Sequence, residues 1–234
     1  MTEQPGTYRI LAVSAGLSTP SSTRMLADQL TREVSAALGT DGAEVAVETV
    51  ELREHAHDLT DALLTRFPGG RVSSVIEKVR AADAIVAVTP IFNLGPASLF
   101  KLFFDALDIE LWKDKPVLVG ATAGTARHSL AIDYALRPMF GYLKADLVPT
   151  SVFAASADFG ADTEGQADEQ PLAVRVRRAA GELATMLRAG LGETAAGTDD
   201  AAADEVSEES ASGRPALDAE FSDFVPMGTL LGRR

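Results

Sequence analysis

The stretch Tyr8-Arg-Ile-Leu-Ala-Val-Ser-Ala-Gly-Leu-Ser-Thr-Pro-Ser-Ser-Thr-Arg24 sets the frame for the whole chain. Its first six residues, YRILAV, are a short β-rich apolar run, the pattern of a strand buried on both faces. Beyond it, Met25, Leu26, Leu30, Val34, Ala37 and Leu38 recur at helical spacing. Ser21 or Ser22 is therefore expected to cap a helix running to about Leu38. Between strand and helix lie Ser18, Thr19, Ser21, Ser22 and Thr23, with Ser14 at the strand end. Such a loop presents amide N–H groups, hydroxyl donors and the positive end of a helix dipole at one point, which is the recipe for holding a phosphate. A plain capped strand–helix turn would have the same pattern, so residues further along must decide.

Working outward, residues 44–52 (EVAVETVEL) alternate apolar and polar side chains like an edge strand. Leu59, Leu63 and Leu64 mark a helical stripe over residues 58–67, and Pro68-Gly-Gly70 breaks the chain. Val72, Val75, Ile76 and Val79 give a helix ending near Ala82. The run AIVAV (84–88) is apolar throughout, the mark of a central strand, and it enters Thr89-Pro-Ile-Phe-Asn93. A helix is expected over 97–111, then a strand KPVLVGA (115–121) ending in Thr122-Ala-Gly-Thr125. A helix through Leu130, Tyr134, Leu136, Met139 and Leu143 leads to a fifth strand, LVPTSVFA (147–154), and a last helix covers 172–188.

Strands alternating with helices make an α/β, doubly wound, five-stranded parallel sheet. The spacing fits the flavodoxin-like order 2-1-3-4-5, in which ligands bind past the carboxyl ends of strands 1, 3 and 4. Those three ends bear the hydroxyl-rich loop, TPIFN and TAGT, the three unusual loops of the chain.

Composition bounds the function. The 234 residues include no cysteine, which removes disulfides, thiol nucleophiles and thiolate metal sites. A net charge of −13 argues against nucleic acid as partner. No apolar run is long enough to span a membrane and no leader pattern opens the chain, so a cytoplasmic location is expected. His55 and His57 do not share a helical face and have no third ligand nearby, so no metal site is assigned. Residues 191–234 contain ten acidic and three basic residues. Within them, 191–216 read as an acidic, disordered linker after a domain over 1–190. The apolar end over 217–234, with Phe221, Phe224, Val225, Met227, Leu230 and Leu231, reads as a docking segment.

The three loops together suit a flavin mononucleotide, with its phosphate in the first loop and its ring over the other two. That assigns Ser14, Ser18, Ser21, Ser22 and Thr23 to the phosphate, and Pro90, Ile91, Phe92, Asn93, Thr122, Ala123 and Gly124 to the ring. No catalytic acid or base is assigned, because hydride passes from nicotinamide to the flavin by stacking and alignment.

Three motifs resemble the NADPH-dependent FMN reductases of flavodoxin-like fold. Ser14-x-Gly16-x(4)-Ser21-x-Thr23 is similar to the family's phosphate loop, with Thr23 where many members have Asn. Thr89-Pro90-Ile91-Phe92-Asn93 followed by Phe100-Lys101-x-x-x-Asp105 resembles TP-x-YN … LKN-x-x-D, with Phe92 replacing Tyr. Lys115-Pro116 entering a strand that ends Thr122-Ala-Gly124 is similar to KP … S-x-G. The resemblance covers about residues 8–155 and implies FMN, NADPH or NADH as hydride donor, and a homodimer or tetramer. It also implies a flavin-dependent monooxygenase as possible recipient, as in similar actinobacterial reductases. Rival readings are a flavodoxin-type electron carrier, a quinone reductase with bound FMN, and a flavin-free interaction domain. Lys101 with Asp105 reads as a solvated or interface ion pair, and Arg175, Arg177 and Arg178 as a solvated helix face.

Overall fold

The computed structural model describes residues 7–40, 42–160 and 170–190. The chain divides into two units, 1–199 and 200–234, and everything described falls in the first. The linker expected over 191–216 and the docking segment expected over 217–234 lie outside the described residues.

In chain order the elements are β1 (Thr7–Ser14), α1 (Ser22–Gly39), β2 (Glu44–Glu51), α2 (Ala56–Thr65), α3 (Gly70–Ala81), β3 (Ala84–Phe92) and β4 (Gly95–Pro96). Then come α4 (Ser98–Ala106), β5 (Pro116–Ala123), α5 (Arg137–Tyr142), β6 (Asp146–Leu147), β7 (Val152–Ala155) and α6 (Leu172–Arg188). The sheet order is β2-β1-β3-β5, with β6 and β7 both beside β5, and every one of these pairs is parallel. The doubly wound order 2-1-3-4-5 is thus realised, with the fifth place shared by two short strands. The interruption falls around Pro149, which has no N–H for the ladder. Val148 N still donates to Val117 O at 3.0 Å, and pairing resumes at Gly120↔Val152. β4 adds a short antiparallel arm on β3.

Alternation along the central strands explains their uniform apolarity. Ile10 and Ala12 of β1, with Val86 and Val88 of β3, pack under Leu26, Leu30 and Leu183 of α1 and α6. Leu11, Val13, Ile85 and Ala87 point the other way, against Val79, Phe100, Phe103 and Phe140. Both faces are covered, so Ile10–Ser14 of β1 and Ala84–Ile91 of β3 are buried without a break. β2 lies at the edge, and Ala46, Val47 and Glu48 are exposed there.

Three expectations are corrected. The helix expected over 97–111 stops at Ala106, and a separate 3-10 turn covers Ile109–Leu111, its start capped by Asp108, whose carboxylate accepts from Glu110 N. The helix expected after Thr125 is broken into a 3-10 turn (Ala126–His128), a π turn (Ile132–Leu136) and α5. Pro138 sits in the first turn of α5 and cannot donate backward, so the wider π turn leads into it. Arg175 is no solvated residue. Its guanidinium pairs with Asp158 at 2.6 Å, with side chains 8% and 0% exposed, and donates to the carbonyls of Phe153 and Gln170. Asp158 in turn accepts from Ala155 N at 2.7 Å, so this pair ties the start of α6 to the end of β7.

Lys115, just before β5, is 3% exposed and donates from Nζ to the carbonyls of Val79 (3.0 Å), Arg80 (3.3 Å) and Ala82 (2.7 Å). These carbonyls end α3, the negative pole of that helix, so the ammonium acts as its cap. Burial pushes its pKa below the ordinary lysine value, opposed by Asp83. Replacing Lys115 with Met is expected to cost about 1.5–3 kcal/mol, the range for hydrogen bonds to a charged group. Urea unfolding measures it, and an unchanged midpoint would refute the capping role.

Candidate functional site

The site is built where three parallel strands end side by side. Ser14 at the end of β1 lies opposite Val88 of β3, and Pro90 of β3 lies opposite Thr122 of β5. Ala15 N donates to Val88 O at 3.0 Å, which binds the first loop to the sheet as it leaves β1. All three loops expected to hold the ligand therefore open at one end of the sheet. A cleft of about 940 Å³ lies at the opposite end, lined by Arg9, Asp83 and Lys115 among others. Its lining mixes acids and bases and includes no serine or threonine.

In the first loop, Ser21 caps α1 and its Oγ accepts from Arg24 N at 3.2 Å. The N–H groups of Ser22 and Thr23, in the first turn, keep no intrahelical acceptor. Gly16 is buried, and a Cβ there would fall 2.0 Å from Ser21 Oγ, 3.1 Å from Ser21 Cβ and 3.2 Å from Thr23 Cβ. The cradle exists because residue 16 has no side chain. Ser22 is exposed at its mouth. The hydroxyl of Ser18 turns away and donates to Pro20 O at 2.9 Å.

Thr23 takes a part its sequence position did not announce. Its Oγ1 meets Thr122 Oγ1 at 2.8 Å, both residues being buried. One hydroxyl must donate to the other, so the pair retains a single proton for a ligand. This bond straps the first loop to the loop after β5.

The second loop is a tight hairpin. Ile91 pairs with Pro96 and Phe92 with Gly95, leaving Asn93 (φ 50°) and Leu94 (φ 66°) at the tip. Asparagine tolerates this left-handed region, whereas leucine is strained there. Thr89, fully buried, holds the hairpin's return by accepting from Ala97 N at 3.1 Å. Pro90 and Ile91 are buried, while Phe92 and Asn93 are exposed at the open side. In the third loop Thr122 is buried, Ala123 half-buried and Gly124 exposed, with no heavy atom within 4 Å of where a Gly124 Cβ would stand. That leaves open space at Gly124, at the end of β5, while the exposed Phe92 closes the neighbouring strand β3. A phosphorylated flavin fits these residues: amides and hydroxyls in a pinched cradle at one end, open space at the other.

The sequence reading missed a cluster of paired charges, with two arginines, beside the first loop. β2 neighbours β1 in register Ser14↔Glu51, which brings the end of β2 next to that loop. Glu51 sits between Arg24 and Arg53, each at 2.7 Å, and Arg24 also pairs with Asp28 at 2.7 Å. The Asp28 hydrogen bond leads the causes that raise the Arg24 pKa above its ordinary value. The expected strand order was the signal that could have placed this cluster. Lys101 and Asp105 form an exposed pair at 2.6 Å, as expected of a solvated pair, and Arg127 is exposed beside the third loop. Among the described residues no group of His, Asp or Glu side chains has the arrangement of a metal site, and no helix is long and apolar enough to cross a membrane.

The family model for NADPH-dependent FMN reductases matches residues 8–160. The chain belongs to this family. An FMN reductase (NADPH) of Pseudomonas aeruginosa is 32% identical over 173 residues, 74% of this chain and 89% of that one. An NADH-dependent FMN reductase of Pseudomonas fluorescens is 31% identical over 172 residues, 74% of this chain and 88% of its own. Among solved structures, an oxidoreductase of Corynebacterium diphtheriae shares 43% identity and a TM-score of 0.73, over 78% of this chain and 98% of that chain. In this FMN reductase family member the matched region ends just after the turn that follows β7 and includes all three loops of the site.

Proposed function

We propose that the chain reduces FMN with a hydride from NADPH or NADH at the carboxyl ends of β1, β3 and β5. The observation that supports this most is the convergence of the three loops, with the Thr23–Thr122 hydrogen bond at 2.8 Å joining the phosphate end to the ring end. When bound, the flavin supplies the hydride-accepting ring. The chain's own residues bind and orient it. The α1 amides, Ser21 and Ser22 take the phosphate, while Phe92 and Ala123–Gly124 take the ring. Thr89, Pro90, Ile91 and Asn93 shape the hairpin, and the buried Ser14, Thr23 and Thr122 fix the distance between the two ends.

We extend the reading to a homodimer or tetramer in the cytoplasm that hands reduced flavin to a monooxygenase. The division into a reductase domain over 1–190, a linker over 191–216 and a docking segment over 217–234 belongs to the same proposal. Relatives named for each nicotinamide support both donors. The test is oxidation of NADPH and NADH followed with and without added FMN, together with the absorption band of bound flavin. Turnover that needs neither flavin nor either nicotinamide would overturn it.

A prediction follows for the open space at Gly124. Gly124→Val puts a branched side chain into the open space and is expected to weaken flavin binding about tenfold or more, by misplacing the ring. No heavy atom lies within 4 Å of the new Cβ, so the helical circular dichroism should stay native. Wild-type flavin affinity in this variant would place the ring elsewhere.

A further inference from the structure

Residues 15–23 include no charged side chain, yet a flavin phosphate is an anion. The next residue, Arg24, is committed to Asp28 and Glu51. Among the described residues, Arg53 is a cation whose nitrogen reaches the loop itself. It extends from the 3-10 turn after β2, pairs through Nη2 with Glu51 at 2.7 Å, and donates from Nη1 to Ser18 O (3.1 Å) and Thr19 Oγ1 (2.5 Å). Across a trans peptide the C=O and N–H point in opposite directions. With the Ser18 carbonyl fixed on Arg53, the Thr19 N–H is turned to the other side of that peptide.

We propose that Arg53 sets the preference of this site for phosphorylated flavin, by fixing the Ser18–Thr19 peptide and placing a guanidinium charge at the rim of the phosphate loop. It is a positioning residue, acting through the loop. Its planar fork suits the task because Nη2 holds Glu51 while Nη1 holds two loop oxygens in one fixed geometry, whereas a lysine ammonium is a point charge on a flexible stem. Glu51 opposes it, since the same carboxylate neutralises both arginines. This inference rests on the phosphate assignment made under Proposed function.

The experiment measures dissociation constants of FMN and riboflavin with the full chain, by quenching of flavin fluorescence. Arg53→Met is expected to weaken FMN by about tenfold to a hundredfold, the scale of charge-assisted hydrogen bonds, and riboflavin by less than about threefold. Arg53→Lys should recover part of the loss. Glu51→Gln, which removes the opposing charge, should tighten FMN by about threefold while riboflavin stays put. A wild-type FMN-to-riboflavin ratio in Arg53→Met overturns the proposal. If that variant fails to fold by circular dichroism, an unchanged ratio in Glu51→Gln overturns it instead. A Gly16→Ala variant separates the two levels. If it loses FMN preference while Arg53→Met keeps it, the loop assignment stands and the role of Arg53 alone falls. If neither variant alters the preference, the phosphate site itself is misplaced.

Discussion

Gly16→Ala should lose most of its affinity for FMN, by about a hundredfold or more, while keeping its fold. The added Cβ falls 2.0 Å from Ser21 Oγ, and two further atoms lie at 3.1 and 3.2 Å. Ser21 cannot step aside freely, because its hydroxyl caps α1 and its carbonyl accepts the first helical bond, from Met25 N at 3.0 Å. Thr23 is no freer, being bonded to Thr122 across the site. The loop must therefore open, and losing two hydrogen bonds to a charged group, at about 1.5–3 kcal/mol each, is enough for a hundredfold effect. Overpacking of this kind costs about 1–3 kcal/mol of stability, well below what unfolds most domains. Riboflavin, which does not use the cradle, should bind nearly as before. Paired titrations of the two flavins decide the matter, and an FMN constant within threefold of wild type would refute the cradle.

The largest loss of stability is expected from Arg175→Met. Asp158, whose side chain is fully buried, would keep its bond from Ala155 N but lose its counter-charge. Leaving a buried charge unpaired costs about 3–5 kcal/mol. At about 2–4 °C per kcal/mol for a domain of this size, the melting temperature should fall by roughly 6–20 °C. Arg175→Met combined with Asp158→Asn should recover part of the fall, since the stranded charge is then gone. A single variant that melts within about two degrees of wild type, equivalent to no more than about 1 kcal/mol, would show that Asp158 finds water instead.

These two sites differ in how legible they were. Gly16, Ser21 and Thr23 stand within eight residues of one another, and the pattern around them announced a strand, a hydroxyl-rich turn and a capped helix, though not the close approach at Gly16. Arg175 gave the opposite signal. In sequence it was one of three arginines on a helix, and only its register against β7 separates it from Arg177, which stays largely exposed.

What the sequence determined by itself was local or periodic. The apolar runs in YRILAV and AIVAV, the 3.6-residue stripe from Met25 to Leu38 and the cap at Ser21 each follow from neighbours a few residues away, so the fold class and the order of the main strands were readable. Tertiary structure decided what depends on distant partners. Thr23 meets Thr122 across 99 positions, Arg53 reaches the loop across 34 or 35, and Lys115 caps a helix that ends 33 or more residues earlier. A hydroxyl, a guanidinium or an ammonium looks the same in sequence whether it faces water or a buried oxygen. The fold alone supplies that oxygen, because desolvation makes a partner obligatory only after packing has removed the water.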